Sequence, residues 1–156
     1  MIIEFGHFAL ILALLVAIAQ MIVPFWGART RDIRLMAFGE PAAVAQVGLI
    51  LIAFLALTHA YVTSDFSVAN VAENSHSTKP LIYRISGVWG NHEGSMLLWV
   101  LILAVFGAAV ALFGHNLPAT LKANVLAVQS SIAVAFLLFI LLTSNPFDRL
   151  NPAPLD

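Results

Sequence analysis

WGNHEGSMLLWVLILAVFGAAVALF, Trp89–Phe113, sets a histidine and a glutamate between glycines and then runs from Met96 to Phe113 without a single charge. A bilayer core is crossed by roughly 20 mostly apolar residues of helix, so this run reads as a transmembrane segment with a polar lip. Working outward, three more runs share its character: about Phe5 to Trp26, Ala42 to Tyr61 and Val125 to Leu142, none holding Asp, Glu, Lys or Arg. All four are too long and too uniformly apolar for amphipathic surface helices. The composition agrees, with 61% hydrophobic and 10% charged residues in 156, where a soluble domain carries about 25% charged. The fold class expected is therefore an all-α integral membrane protein with four transmembrane helices, forming one polytopic region over residues 1–156.

The absence of cysteine removes disulfides and thiolate metal sites. A net charge of −1 offers no basic face for nucleic acid. The first run carries Ala17-Ile18-Ala19, which resembles a cleavage site. It is read as a retained helix, because its leading MIIEFGHF lacks the basic residues of a signal peptide.

Between the first two runs, GARTRDIRLMAFGEP reads as a short loop holding Arg29, Arg31 and Arg34, and GHNLPATLKAN, with Lys122, lies on the same side. Glu4, the long loop 63–95 with Lys79 and Arg84, and the tail with Arg149 lie on the other. Basic clusters in short loops mark the cytoplasmic side, so both termini and the long loop are expected to face the periplasm. In that loop, Leu81, Ile82, Ile85, Val88 and Trp89 share one helical face, which predicts a short helix in the interface plane, breaking near Gly90. Trp89 and Trp99 stand where an aromatic belt would. The tail SNPFDRLNPAPLD, with its prolines, cannot continue the fourth helix.

His92 and Glu93 admit two readings. One makes His92 a heme or metal ligand or proton carrier partnered by Glu93; in the other both cap the helix that follows, the acid complementing the positive end of its dipole. Neighbouring helical residues do not face each other, which disfavours a directly paired couple. His59, near the outer end of the second helix, is a candidate by its place in a membrane segment, and Trp89 is a third candidate for cofactor contact. His7 belongs to the same side; His76 and His115 read as solvated loop residues. Gln20, Gln46, Gln129, Ser130 and Ser131 read as hydrogen-bonding glue between helices, and Ala104, Gly107, Ala108 and Ala111 as close-packing positions. No phosphate loop, zinc-spaced histidines or nucleophile elbow is present, so no catalytic motif lies in the chain itself.

Taken together, WGNHEGSMLLWVL after KPLIYRISGV, the earlier THAYVTSDFSVANVAENS and the later LLTSNPFDRLNPAP resemble the amino-terminal part of the CcmF/NrfE heme lyase family. The resemblance covers the whole chain, and WG-x-HEGS-x-LLW with TSNPF is its specific part. It implies a multi-pass component of the bacterial inner membrane that helps attach heme covalently to apocytochrome c at the periplasmic face. The partners implied are a heme chaperone, apocytochrome c, a thiol-handling subunit and the other cytochrome c maturation subunits. Members of the family are several times longer, and their tryptophan-rich WWD segment and axial histidines lie downstream of these residues. The chain is accordingly expected to be a fragment or a split-gene product, with the heme ligands outside it and WGNHEGS bordering a heme-handling surface. A transporter or energy-coupling subunit, or a purely structural assembly subunit, is the alternative. The lack of intramembrane acids and bases counts against an ion pathway.

Overall fold

In hydrocarbon every backbone N–H and C=O must find its partner inside the segment, and the four apolar runs accordingly form helices. The computed structural model describes residues 1–154; Leu155 and Asp156 of the tail lie outside the described residues. The helices are α1 (Ile2–Thr30), α2 (Ile33–Ala37), α3 (Gly39–Thr63), α4 (Ala69–Asn74), α5 (Leu81–Gly87), α6 (His92–Phe113) and α7 (Ala119–Thr143). Four spans are long and apolar enough to cross a membrane: α1, α2 with α3, α6 and α7. Among the described residues there is no strand, only an isolated antiparallel bridge between Val68 and Arg149.

The bundle is a ring of four. α1 packs on α3 and α7, and α6 packs on the same two, so α1 and α6 occupy opposite corners. Lipid tails are as apolar as leucine, so close van der Waals packing rather than water exclusion holds such helices together. Small residues make the close approach. Ala104, Gly107, Ala108 and Ala111 of α6 are all buried, as their spacing predicts. A Cβ on Gly107 would stand 2.5 Å from Gln129 Oε1, and one on Gly6 would stand 2.7 Å from Ala56 Cβ.

Three of the five polar residues expected as glue do bond between helices. Gln20 Nε2 donates to the Leu126 carbonyl at 3.2 Å and to Gln129 Oε1 at 3.3 Å. Gln129 Nε2 donates to the Leu103 carbonyl at 2.9 Å, and Ser130 Oγ to that of Ala17 at 2.8 Å. Ser131 instead turns to its own helix, at the Val128 carbonyl. Gln46 is fully buried, yet neither polar atom of its amide has a hydrogen-bond partner among the described residues.

The helices outrun the apolar segments at both ends, because beyond the hydrocarbon core a helix needs good helix formers rather than apolar ones. GARTRDIRLMAFGEP is mostly helix rather than loop. α1 continues through Arg29 to Thr30, and Arg31 breaks it in the left-handed region at φ 56°. Asp32 Oδ1 then caps α2, accepting from the N–H of Arg34 at 2.9 Å and of Leu35 at 3.4 Å. The reversal is tight enough that a Cβ on Gly27 would meet the Met36 nitrogen at 2.7 Å. The polar half of the outer loop also contains a helix, α4, that alternation and apolarity do not reveal. The short helix expected near Leu81 is α5, ending at Gly87. Its supposed common face divides, with Val88 fully buried while Leu81, Ile82 and Trp89 are exposed. Arg84 ties the segment down: its Nη1 donates to the Val62 carbonyl at 2.8 Å and to Ser64 Oγ at 3.2 Å, holding α5 to the end of α3.

A buried amide left unpaired costs about 1–3 kcal/mol, so Gln46→Leu is expected to raise the unfolding free energy in detergent by about that amount, whereas Ser130→Ala lowers it by about 1 kcal/mol. Thermal denaturation followed by circular dichroism checks both, and a loss of stability in Gln46→Leu would refute the unpaired reading.

Candidate functional site

The amino end of α6 needs partners for its first N–H groups, and Asn91 supplies the cap. Its Oδ1 accepts from the Gly94 N–H at 2.8 Å. Asn91 Nδ2 donates to the Gly87 carbonyl at 2.9 Å and to Tyr61 Oη at 2.8 Å. Tyr61, fully buried at the end of α3, donates in turn to Asn70 Oδ1 at 2.7 Å. Asn70 Nδ2 closes the circuit by donating to Asn91 Oδ1 at 3.0 Å and to Glu93 Oε2 at 3.1 Å. One set of amides, a phenol and a carboxylate thus joins α3, α4, the α5–α6 turn and α6. The second glycine of WGNHEGS has a steric reason: a Cβ on Gly94 would sit 1.6 Å from the Val88 carbonyl oxygen. Ser95 Oγ finishes the turn on the Trp89 carbonyl at 2.6 Å.

His92 points elsewhere. It is exposed, its Nδ1 lies 3.1 Å from Ser144 Oγ, and its ring meets Phe139 edge-on at 6.0 Å. Glu93 faces Asn70, so the two neighbours serve different elements and do not form a pair. His7 reaches the same tail: Asn145 Nδ2 lies 3.5 Å from its Nε2, and its ring stacks on Phe147 at 6.2 Å. Phe147 is buried against Gly6. Beyond it the tail continues across the same end of the bundle. The Asp148 carbonyl accepts from the Ala69 N–H at 2.8 Å, and the Leu150 N–H donates to the Ser67 carbonyl at 2.9 Å. Arg149 reaches Glu4 and Ser67, with Asp65 at 3.7 Å. The TSNPF motif is therefore a strap that ties α7 back to α1, α4 and α6.

His7, His59 and His92 do not gather into one site. His59 is exposed on α3, and among the described residues no three His, Cys, Asp or Glu side chains gather as a metal site. Between α4, α6 and the tail lies a polar cavity of about 200 Å³, lined by Asn70, Glu73, Glu93, Ser144 and Asp148 among others. Pockets that enclose a drug-sized ligand run about 300–1,000 Å³ and are mostly apolar, so the cavity does not fit a heme. Trp89 is 42% exposed, at the rim of α5. His115 is exposed, and His76, also exposed, has Nδ1 3.2 Å from Thr78 Oγ1.

The sequence reading passed over Tyr61, Asn70 and Asn91. An asparagine just ahead of a long apolar run is an N-cap signal and could have found Asn91; Tyr61 and Asn70 carry no comparable local mark. Asn91→Ala removes a cap and takes one hydrogen-bond partner from each of Tyr61 and Asn70, an expected loss of about 2–4 kcal/mol. Thermal denaturation, with hydrogen exchange at the 61–95 amides, measures it.

No protein-family profile matches the chain. Individual proteins do. It is 64% identical over 156 residues to the cytochrome c-type biogenesis protein ccl1 of Rhodobacter capsulatus, covering 100% of this chain and 24% of that protein. It is 66% identical to the cytochrome c-type biogenesis protein CycK of Rhizobium meliloti, over 99% of the chain and 23% of the relative. The CcmF of Escherichia coli is 44% identical over 96% of the chain and 23% of its own length. The chain thus spans about a quarter of these relatives. Among solved structures, the cytochrome c heme lyase CcmF matches with a TM-score of 0.89 at 27% identity, covering 95% of this chain and 25% of that one. In sequence and in fold the chain corresponds to the amino-terminal portion of the CcmF/NrfE heme lyase family, which its motifs resemble.

Proposed function

We propose that this region is part of a cytochrome c maturation heme lyase and assists covalent attachment of heme to apocytochrome c at the periplasmic face of the bacterial inner membrane. The observation that carries the proposal is convergence. Residues of THAYVTSDFSVANVAENS, WGNHEGS and TSNPF, spread over some ninety positions, interlock at one end of the bundle through Tyr61, Asn70, Asn91, His92 and Ser144. Arg29, Arg31 and Arg34 stand at the opposite end of the spans, which supports an outward orientation for the motif end. Both the first residues and the strap then face the periplasm, where heme attachment takes place.

Within that assignment, heme is cargo, and this region shapes the edge of the surface that handles it. The polar cavity is too small for heme, and His92 Nδ1 is engaged with Ser144, which favours axial ligands in the rest of the longer protein. Exposed Leu81, Ile82 and Tyr83 of α5, with Trp89 just beyond it, give this segment apolar surface suited to the headgroup level of the membrane. The partners are those of the resemblance: the heme chaperone, apocytochrome c and the remaining maturation subunits.

In cells deleted for the gene, a heme-stained gel is expected to lose its c-type cytochromes and regain them on complementation. The complete protein carrying His92→Ala is expected to keep its Soret band on purification while yielding severalfold less cytochrome c. Loss of the Soret band would make His92 a ligand and overturn the edge reading; unchanged staining in the deletion would overturn the assignment itself.

A further inference from the structure

At the end of the bundle away from the motifs, Lys122 of α7 is only 8% exposed. Its ammonium donates to Glu40 Oε1 at 2.8 Å. The pair borders a cavity of about 160 Å³ between α2, α3 and α7, otherwise lined by Ile33, Met36, Ala37, Ala119 and Ala123 among others. An apolar cavity of roughly 150 Å³ takes up a guest the size of benzene, so this one has room for a few methylenes. Ala37 and Ala119 are exposed at its edge, so it is reached from outside the bundle.

The charge around it is one-sided. Arg29, Arg31 and Arg34 are exposed, and Arg29 lies over the Phe25 ring at 5.0 Å. Of the two carboxylates nearby, Asp32 caps α2 and Glu40 is spent on Lys122. Four cations thus face two acids already engaged within the fold. One span ends at Thr30 and the next begins at Ile33, so Arg31 lies in the reversal between them and Arg34 in the first turn of the second, both ahead of the uncharged run that starts at Ala42. Arg34 directly follows Ile33 of the cavity lining, and exposed cations next in sequence to an apolar slot between helices match a phosphate ester carrying an acyl chain.

We propose that this inner end binds an anionic phospholipid, its phosphate on Arg31 and Arg34 and part of an acyl chain in the cavity beside Lys122. The cavity is what separates such a site from diffuse attraction to a charged membrane.

The complete protein, equilibrated with mixed micelles of phosphatidylglycerol and phosphatidylcholine, is examined by native mass spectrometry. Retention of phosphatidylglycerol over phosphatidylcholine is expected. A surface cation contributes about 1 kcal/mol toward anionic lipid, so Arg31→Asn and Arg34→Gln are each expected to lower retention on the order of fivefold. Asparagine suits the left-handed backbone at position 31. Ala37→Leu narrows the cavity, leaves every charge in place and is exposed enough to fold, and it is expected to lower retention as well. Equal retention of both lipids, or phosphatidylglycerol retention untouched by the arginine variants, overturns the proposal. So does retention untouched by Ala37→Leu, which would reduce the site to surface charge.

Discussion

The side-chain amide of Asn91 has both of its functions in use at once. Its oxygen caps α6 at Gly94 and receives Asn70, while its nitrogen holds the Gly87 carbonyl and the Tyr61 hydroxyl. At the end of a membrane bundle, water no longer completes every polar group, and a network that is satisfied throughout rigidifies its surroundings while a partly satisfied one is costly. The outer loop could not otherwise lie over the ends of α3 and α6, because its backbone turns against the first turn of α6 with no room for a Cβ at Gly94. The network and the glycine depend on each other. The turn brings Asn91 to Tyr61, and the amide keeps the turn closed.

The two ends of the bundle solve different problems. The end that carries the motifs is built from side-chain amides, hydroxyls and a returning strap, with a buried phenylalanine seated on Gly6 and an arginine tying Glu4 to Ser67. Such an arrangement presents a shaped, polar surface and holds both the start of α1 and the segment after α7 in fixed positions. The opposite end is a tight helical reversal at Arg31–Asp32, carrying exposed charge and leaving a small apolar gap beside an ion pair.

Between the ends, specificity rests on a few polar contacts set among small residues. Gln20, Gln129 and Ser130 bond across α1, α6 and α7, fixing the rotation of helices whose leucines and valines alone would accept several. Gly107 is where α6 admits the Gln129 amide. Gln46 takes no part, although by position and chemistry it resembles the others.

The sequence by itself determined that four helices cross a membrane, because length and the absence of charge suffice when the solvent is hydrocarbon and no other structure can satisfy the backbone. It also determined, through WGNHEGS and TSNPF, which family the chain resembles. It did not determine that Arg29 to Arg34 belong to helices, since a periodic apolar signal stops where the hydrocarbon stops and the helix does not. Only the tertiary structure decided that His92 turns to Ser144, that Glu93 turns to Asn70, and that Gln46 has no partner among the described residues while Gln20 finds two. Those outcomes depend on the rotation and depth of each helix against its neighbours. Residues dozens of positions apart set them through packing, and no local pattern encodes that geometry.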